Sequence, residues 1–122
     1  MIIKNLAYLL EFINWLTDEE KELPIMANNL EGKFKVVELI DTDCTYDDDV
    51  RIADLNLSED EADDYDVEFG SCAITPLEII EAFADFSEEE KSLDVYLWDA
   101  SIDRDRVCRA EVKDKYILLS CC

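Results

Sequence analysis

Apolar positions recur with two different periods along this chain. Leu6, Leu9, Leu10, Ile13 and Leu16 repeat at steps of three and four, with Lys4, Glu11 and Asn14 off the stripe, which predicts an amphipathic helix over 3–16. Thr17-Asp18-Glu19-Glu20 then has the Thr-x-x-Glu order of a capping box, so a short helical turn starts there and Pro24 ends it. A short strand over 24–27 leads to Asn28-Asn29 and a turn near Gly32. Residues 34–40, rich in Val, Phe and Ile, predict a strand, and 51–57 alternates as a half-buried strand beyond a loop at 47–49. Another strand is expected over 65–74, with Gly70 at a bulge or turn. Thr75-Pro76 opens a second helix, Thr75 as cap and Pro76 at the first helical position; Leu77, Ile79, Ile80 and Phe83 form its apolar side and it ends near Phe86. Strands follow at 94–98, 107–112 and 116–120, the last two joined by a hairpin turn at Asp114-Lys115.

The two helical segments resemble each other at an offset of 70 residues. Leu9, Leu10, Glu11, Ile13 and Leu16 align with Ile79, Ile80, Glu81, Phe83 and Phe86. Thr17-Asp18-Glu19-Glu20-Lys21-Glu22-Leu23 then aligns with Ser87-Glu88-Glu89-Glu90-Lys91-Ser92-Leu93, and Ile25 with Val95. The pattern predicts a duplicated helix–strand–hairpin unit, one copy over about 3–57 and one over about 75–120. The expected fold is α+β, a single domain over 1–122, with one antiparallel sheet carrying both helices on one face and an acidic outer face in water.

Charge changes this picture most. Of 122 residues, 32 are Asp or Glu and 11 are Lys or Arg, a net charge of −21. Yet 49% of the chain is hydrophobic, with two Trp, five Phe and five Tyr and only two Gly and two Pro, which is a composition that folds. Self-repulsion on this scale opposes compaction and exceeds what solubility asks for. Direct binding to nucleic acid or to an anionic membrane is argued against by the same charge.

Catalytic signatures are absent from the sequence. With no His, the five cysteines (Cys44, Cys72, Cys108, Cys121 and Cys122) lack the usual activating base, and none stands in a C-x-x-C pair. Free thiols in a reducing cytoplasm are the expectation, since residues 1–16 carry Lys4, Glu11 and Asn14 and lack a signal-peptide cleavage site. Two loops begin like calcium loops. In 41–52, however, Tyr46 occupies the glycine position and Ile52 the glutamate position; in 99–110 Arg104 and Ala110 do so. No metal, cofactor or enzymatic activity is expected, and two glycines cannot build a phosphate loop.

Binding is what remains. Residues 41–68 hold thirteen carboxylates against one cation, Arg51, a net charge of −12. The candidate partner-binding residues are Asp41, Asp43, Tyr46, Asp47, Asp48, Asp49, Glu59, Asp60, Glu61, Asp63, Asp64, Tyr65, Asp66 and Glu68. Alternate strand residues stand about 6.6 Å apart on one face, comparable with successive phosphates of a nucleic-acid strand. Arginine accepts a carboxylate in the same bidentate way as a phosphate. Tyr46 and Tyr65, set among acids, are expected as exposed anchors, and Trp15 and Trp98 as core or edge packing.

The acidic segments 41–49 and 59–68, with the small α/β character, resemble acidic phage anti-defence proteins: DNA-mimic antirestriction proteins and acidic anti-CRISPR proteins. The resemblance is one of class and carries no diagnostic motif. It implies an inhibitor in the host cytoplasm, a monomer or homodimer, that fills the basic groove of a nuclease or CRISPR effector. Two other readings fit the same residues: an immunity protein against a basic nuclease toxin, and a non-catalytic regulatory module.

Overall fold

The computed structural model describes residues 1–28, 34–44, 47–58, 73–99 and 102–121. Six strands join as a mixed sheet that closes on itself into a barrel, in the order β1-β2-β3-β4-β5-β6. Their ranges are Ile25–Asn28, Phe34–Cys44, Asp47–Leu57, Val95–Asp99, Ile102–Val112 and Ile117–Cys121. Two α-helices stand among the described residues, α1 (Leu6–Asn14) and α2 (Pro76–Ala82), each followed by a short 3₁₀ turn, Glu20–Glu22 and Glu90–Ser92.

Local chemistry sets the helix ends. Asn5 caps α1, its side-chain oxygen accepting from the Tyr8 N–H at 3.2 Å. Thr75 caps α2 ahead of Pro76, and its N–H donates to Glu78 Oε2 at 3.3 Å. The Thr17 box forms as read: the Thr17 N–H donates to Glu20 Oε1 at 2.9 Å, and the Glu20 N–H to Thr17 Oγ1 at 3.1 Å. Ser87 and Glu90 repeat both bonds at 2.9 and 3.1 Å. Helix, 3₁₀ turn and three strands thus occur twice in the same order.

The expectation of an antiparallel sheet is corrected. β1 runs parallel to β6, and β3 parallel to β4; the other four junctions are antiparallel. The connection from β3 to β4 passes through α2, and a helical crossover brings the chain back in the same direction, where a tight hairpin would reverse it. The helices reach the same core as the strands. Leu6, Leu9, Phe12 and Ile13 of α1 and Ile79 of α2 share one core cluster with Ala27, Val37, Leu55, Leu97, Val107, Ala110 and Leu119 from the strands. The ends interlock: the Ile3 N–H donates to Cys108 O at 2.8 Å, and the Ile74 N–H to Val37 O at 2.9 Å, so each helix's lead-in bonds a strand of the other half.

Three further corrections follow, and one expectation falls largely outside the described residues. Residues 47–49 belong to β3: Asp47 pairs with Cys44 of β2, and pairing resumes at Arg51 with Asp43, so the poor strand propensity of Asp is overridden from both ends. Trp15, at the end of α1, is 82% exposed, and Trp98 is 42% exposed, because each falls on the outer side of its element. Cys108 is disulfide-bonded, whereas Cys121 is a free thiol. The strand expected over 65–74 lies outside the described residues except for Ala73 and Ile74, which are not strand.

Candidate functional site

Register decides which residues β2 and β3 present together. Ile40 pairs with Leu55, which faces the core, so the neighbouring pair Asp41–Asp54 faces out. Pairing then continues to Asp43–Arg51 and Cys44–Asp47, while β3 meets β4 only over 53–56. Beyond that junction the two strands run on as an acidic two-stranded arm. Shifts in register between Asp41 and Asp43, and between Asp43 and Cys44, mark irregularities that strengthen the ribbon's twist.

The structure brings part of the candidate set together on this arm. Asp43 and Asp49 are exposed; Asp41 is half-buried; Asp47 and Asp48 occupy the first positions of β3. Tyr46, Glu59, Asp60, Glu61, Asp63, Asp64, Tyr65, Asp66 and Glu68 lie outside the described residues.

Arg51 fastens the arm to the end of α2. Its Nη2 lies 3.1 Å from Asp85 Oδ2, and its Nε lies 3.6 Å from Asp43 Oδ1 and 3.8 Å from Glu90 Oε2. The guanidinium sits 4.8 Å from the centre of the Phe86 ring. The hydrogen bond from Arg51 holds the Asp85 carboxyl below the usual carboxylate range.

At the base of the arm, Asp54 is only 6% exposed. Arg104 Nη2 donates to Asp54 Oδ1 at 2.8 Å, with its guanidinium 4.1 Å from the centre of the Tyr96 ring. Burial pushes the Asp54 carboxyl above its ordinary value; Arg104 opposes this and the neighbouring Asp41 charge adds to it. Asn56 Nδ2 donates to Asp41 Oδ2 at 2.8 Å.

Sequence reasoning missed Asp54, Asn56, Tyr96 and Arg104 as a group. A signal for them existed: polar residues at even positions of 53–57 and aromatic residues at even positions of 95–98, out of phase with Leu55 and Leu97. Chemically, this surface can accept donors and attract cations. Among the described residues no group of three or more His, Cys, Asp or Glu is placed to hold a metal ion, and no helix is long and apolar enough to cross a membrane. Compared with protein families, curated proteins and solved structures, the chain matches none of them.

Proposed function

We propose that this protein is a nucleic-acid-mimicking inhibitor, which occupies the basic groove of a host-defence nuclease or CRISPR effector and blocks target binding. The observation that carries the reading is the acidic arm: a two-stranded ribbon, irregular in register, with Asp41 and Asp43 on one strand and Asp47, Asp48 and Asp49 on the other. A twisted ribbon turns its carboxylates about an axis, as a nucleic-acid strand turns its phosphates. Arginines spaced to grip phosphates then meet carboxylates at similar intervals. A net charge of −21 adds a long-range field that speeds encounter with a basic groove and fades as salt rises. The same reading extends to the acidic run at 59–68.

We further infer that the two halves descend from one duplicated unit. The matching capping boxes of Thr17–Glu20 and Ser87–Glu90, and the repeated order of elements, support that origin.

Charge reversal tests the function. Replacing Asp47, Asp48 and Asp49 by Lys, or Asp60, Glu61, Asp63 and Asp64 by Lys, leaves the fold intact and slows association with a captured basic partner about a hundredfold at low salt. Unaltered binding by both variants overturns the mimic. A partner that binds tightly but is not displaced by duplex DNA or by RNA points instead to neutralisation of a toxin away from any nucleic-acid groove.

A further inference from the structure

The outer face of β2, β3 and β4 is laid out in rows by its register. One row runs Leu39, Asn56, Trp98; the next runs Asp41, Asp54, Tyr96. Strands lie about 4.8 Å apart, so the backbones of Leu39 and Trp98 stand about 10 Å from each other across Asn56. Leu39 is 61% exposed although Val37, two residues earlier, is fully buried. The bulge between them turns Leu39 outward. Two large apolar side chains thus stand in the open on a charged sheet, contributing little to the barrel. Such residues inside a polar rim are what binding anchors look like.

This fold already shows how it holds arginine. Arg104 lies between the Tyr96 ring at 4.1 Å and the Asp54 carboxylate at 2.8 Å. Arg51 lies between the Phe86 ring at 4.8 Å and the Asp85 carboxylate at 3.1 Å. In both, an aromatic face and a carboxylate share one guanidinium. Trp98 and Asp41 stand two strands and one row apart on the same face, on either side of Asn56, and among the described residues no cation lies over Trp98 or pairs with Asp41. Between them, Asn56 gives its Nδ2 to Asp41 and keeps a buried Oδ1 for which the described residues supply no donor. A guanidinium, all donors and no acceptor, is the group complementary to the Asp41 carboxylate.

We propose that this face docks an arginine-bearing segment of a basic protein, with a guanidinium on the Trp98 ring, its aliphatic stem along Leu39, and Asp41 accepting its N–H groups. Charge complementarity selects the occupant: Glu38, Asp41 and Asp43 border the row on a chain of net charge −21. The nature of the partner rests on the mimic reading; the arginine site itself stands or falls separately.

The test uses the full chain and two probes, deca-arginine and deca-lysine peptides, at physiological salt. In a Trp15→Phe background Trp98 is the sole tryptophan, so its emission reports contact with the face. Deca-arginine is expected to perturb Trp98 emission and, by calorimetry, to bind at least about fivefold tighter than deca-lysine. Trp98→Ala and Leu39→Ser, both at exposed positions and checked for unchanged thermal unfolding, remove that preference, whereas Trp15→Ala keeps it. Reversal of Asp47, Asp48 and Asp49 weakens both peptides alike. Equal binding of the two peptides, or an arginine preference that survives Trp98→Ala, overturns the site. So does a stable dimer in which dilution exposes Trp98, which assigns the face to a second copy of this chain. An arginine preference centred on Trp98 in a protein that blocks no nuclease leaves the site standing and removes the mimic.

Discussion

Arg104 and Asp54 meet at 2.8 Å across an intervening strand, the guanidinium of β5 passing over the Tyr96 ring of β4 to reach a carboxylate of β3. One cation thereby serves the inner member of two adjacent acids, Asp54 and Asp41, which lie directly opposite each other in register. Like charges so placed repel, and the arrangement holds because Arg104 and Asn56 each engage one of them.

Removing the cation exposes that dependence. Arg104→Met leaves a buried carboxylate without its partner and is expected to cost about 2 kcal/mol, less than for a fully buried pair because Arg104 itself is 44% exposed. Urea unfolding measures it, and a loss near zero contradicts the role given to the pair.

Asp54 also sets a pH signature. Its folded pKa is raised, chiefly by burial, so the folded state takes up a proton before the unfolded chain does. The penalty of the buried charge is therefore present above the folded pKa and is relieved as pH falls toward the ordinary value of about 3.9. Relative to Asp54→Asn, the native protein gains stability as pH drops through that window. A difference between the two proteins that does not change with pH contradicts this.

Asp85 shifts the other way. Hydrogen bonding from Arg51 lowers its folded pKa, so its contribution is present above the ordinary carboxylate value and is lost as pH falls through the lowered one. Carboxyl carbon NMR should find Asp85 titrating below its ordinary value in the native chain and returning to it in Arg51→Gln. An unmoved Asp85 means that the arm is not fastened there.

The two 3₁₀ turns should respond equally. Thr17→Ala and Ser87→Ala each remove one oxygen that accepts a turn N–H, at 3.1 Å in both, and each is expected to cost about 1 kcal/mol. With no shared partner, the double variant should lose the sum. Denaturant midpoints decide it, and markedly unequal losses contradict equivalent caps.

Cys121 should be slow to react while the protein is folded. Burial first, and the Asp105 charge second, push its thiol from 9.0 up to about 12. Its protonated form favours the fold below the ordinary value, and that contribution is lost as pH rises from 9.0 to about 12. At pH 8, alkylation located at Cys121 by fragment mass spectrometry should proceed at least about a hundredfold faster in denaturant. Equal rates contradict the burial.

What the sequence revealed and what it hid divide along local and non-local physics. The caps at Thr75-Pro76 and Thr17–Glu20 rest on contacts within four residues, so composition and spacing suffice to place them. The parallel junctions β1–β6 and β3–β4 join segments far apart in the chain, and no short pattern encodes them. Asp47 to Asp49 look like a loop by propensity and become strand because Asp47 pairs with Cys44 and Arg51 with Asp43 on β2. Leu39 turns outward because a bulge changes the phase of alternation, which a count of apolar residues along 34–40 cannot reveal. The acidic arm was therefore legible as charge, while the arginine-bearing and aromatic face at its base was not.

The most direct measurement is capture of a partner from host lysate on the immobilised protein at low salt, followed by elution with duplex DNA. Nucleic-acid mimicry predicts that a nuclease or CRISPR effector is retained, that DNA or RNA releases it, and that the protein with Asp47, Asp48 and Asp49 replaced by Lys retains nothing. A partner that nucleic acid cannot displace, or one held equally well by this variant and by the one reversed at Asp60, Glu61, Asp63 and Asp64, contradicts it.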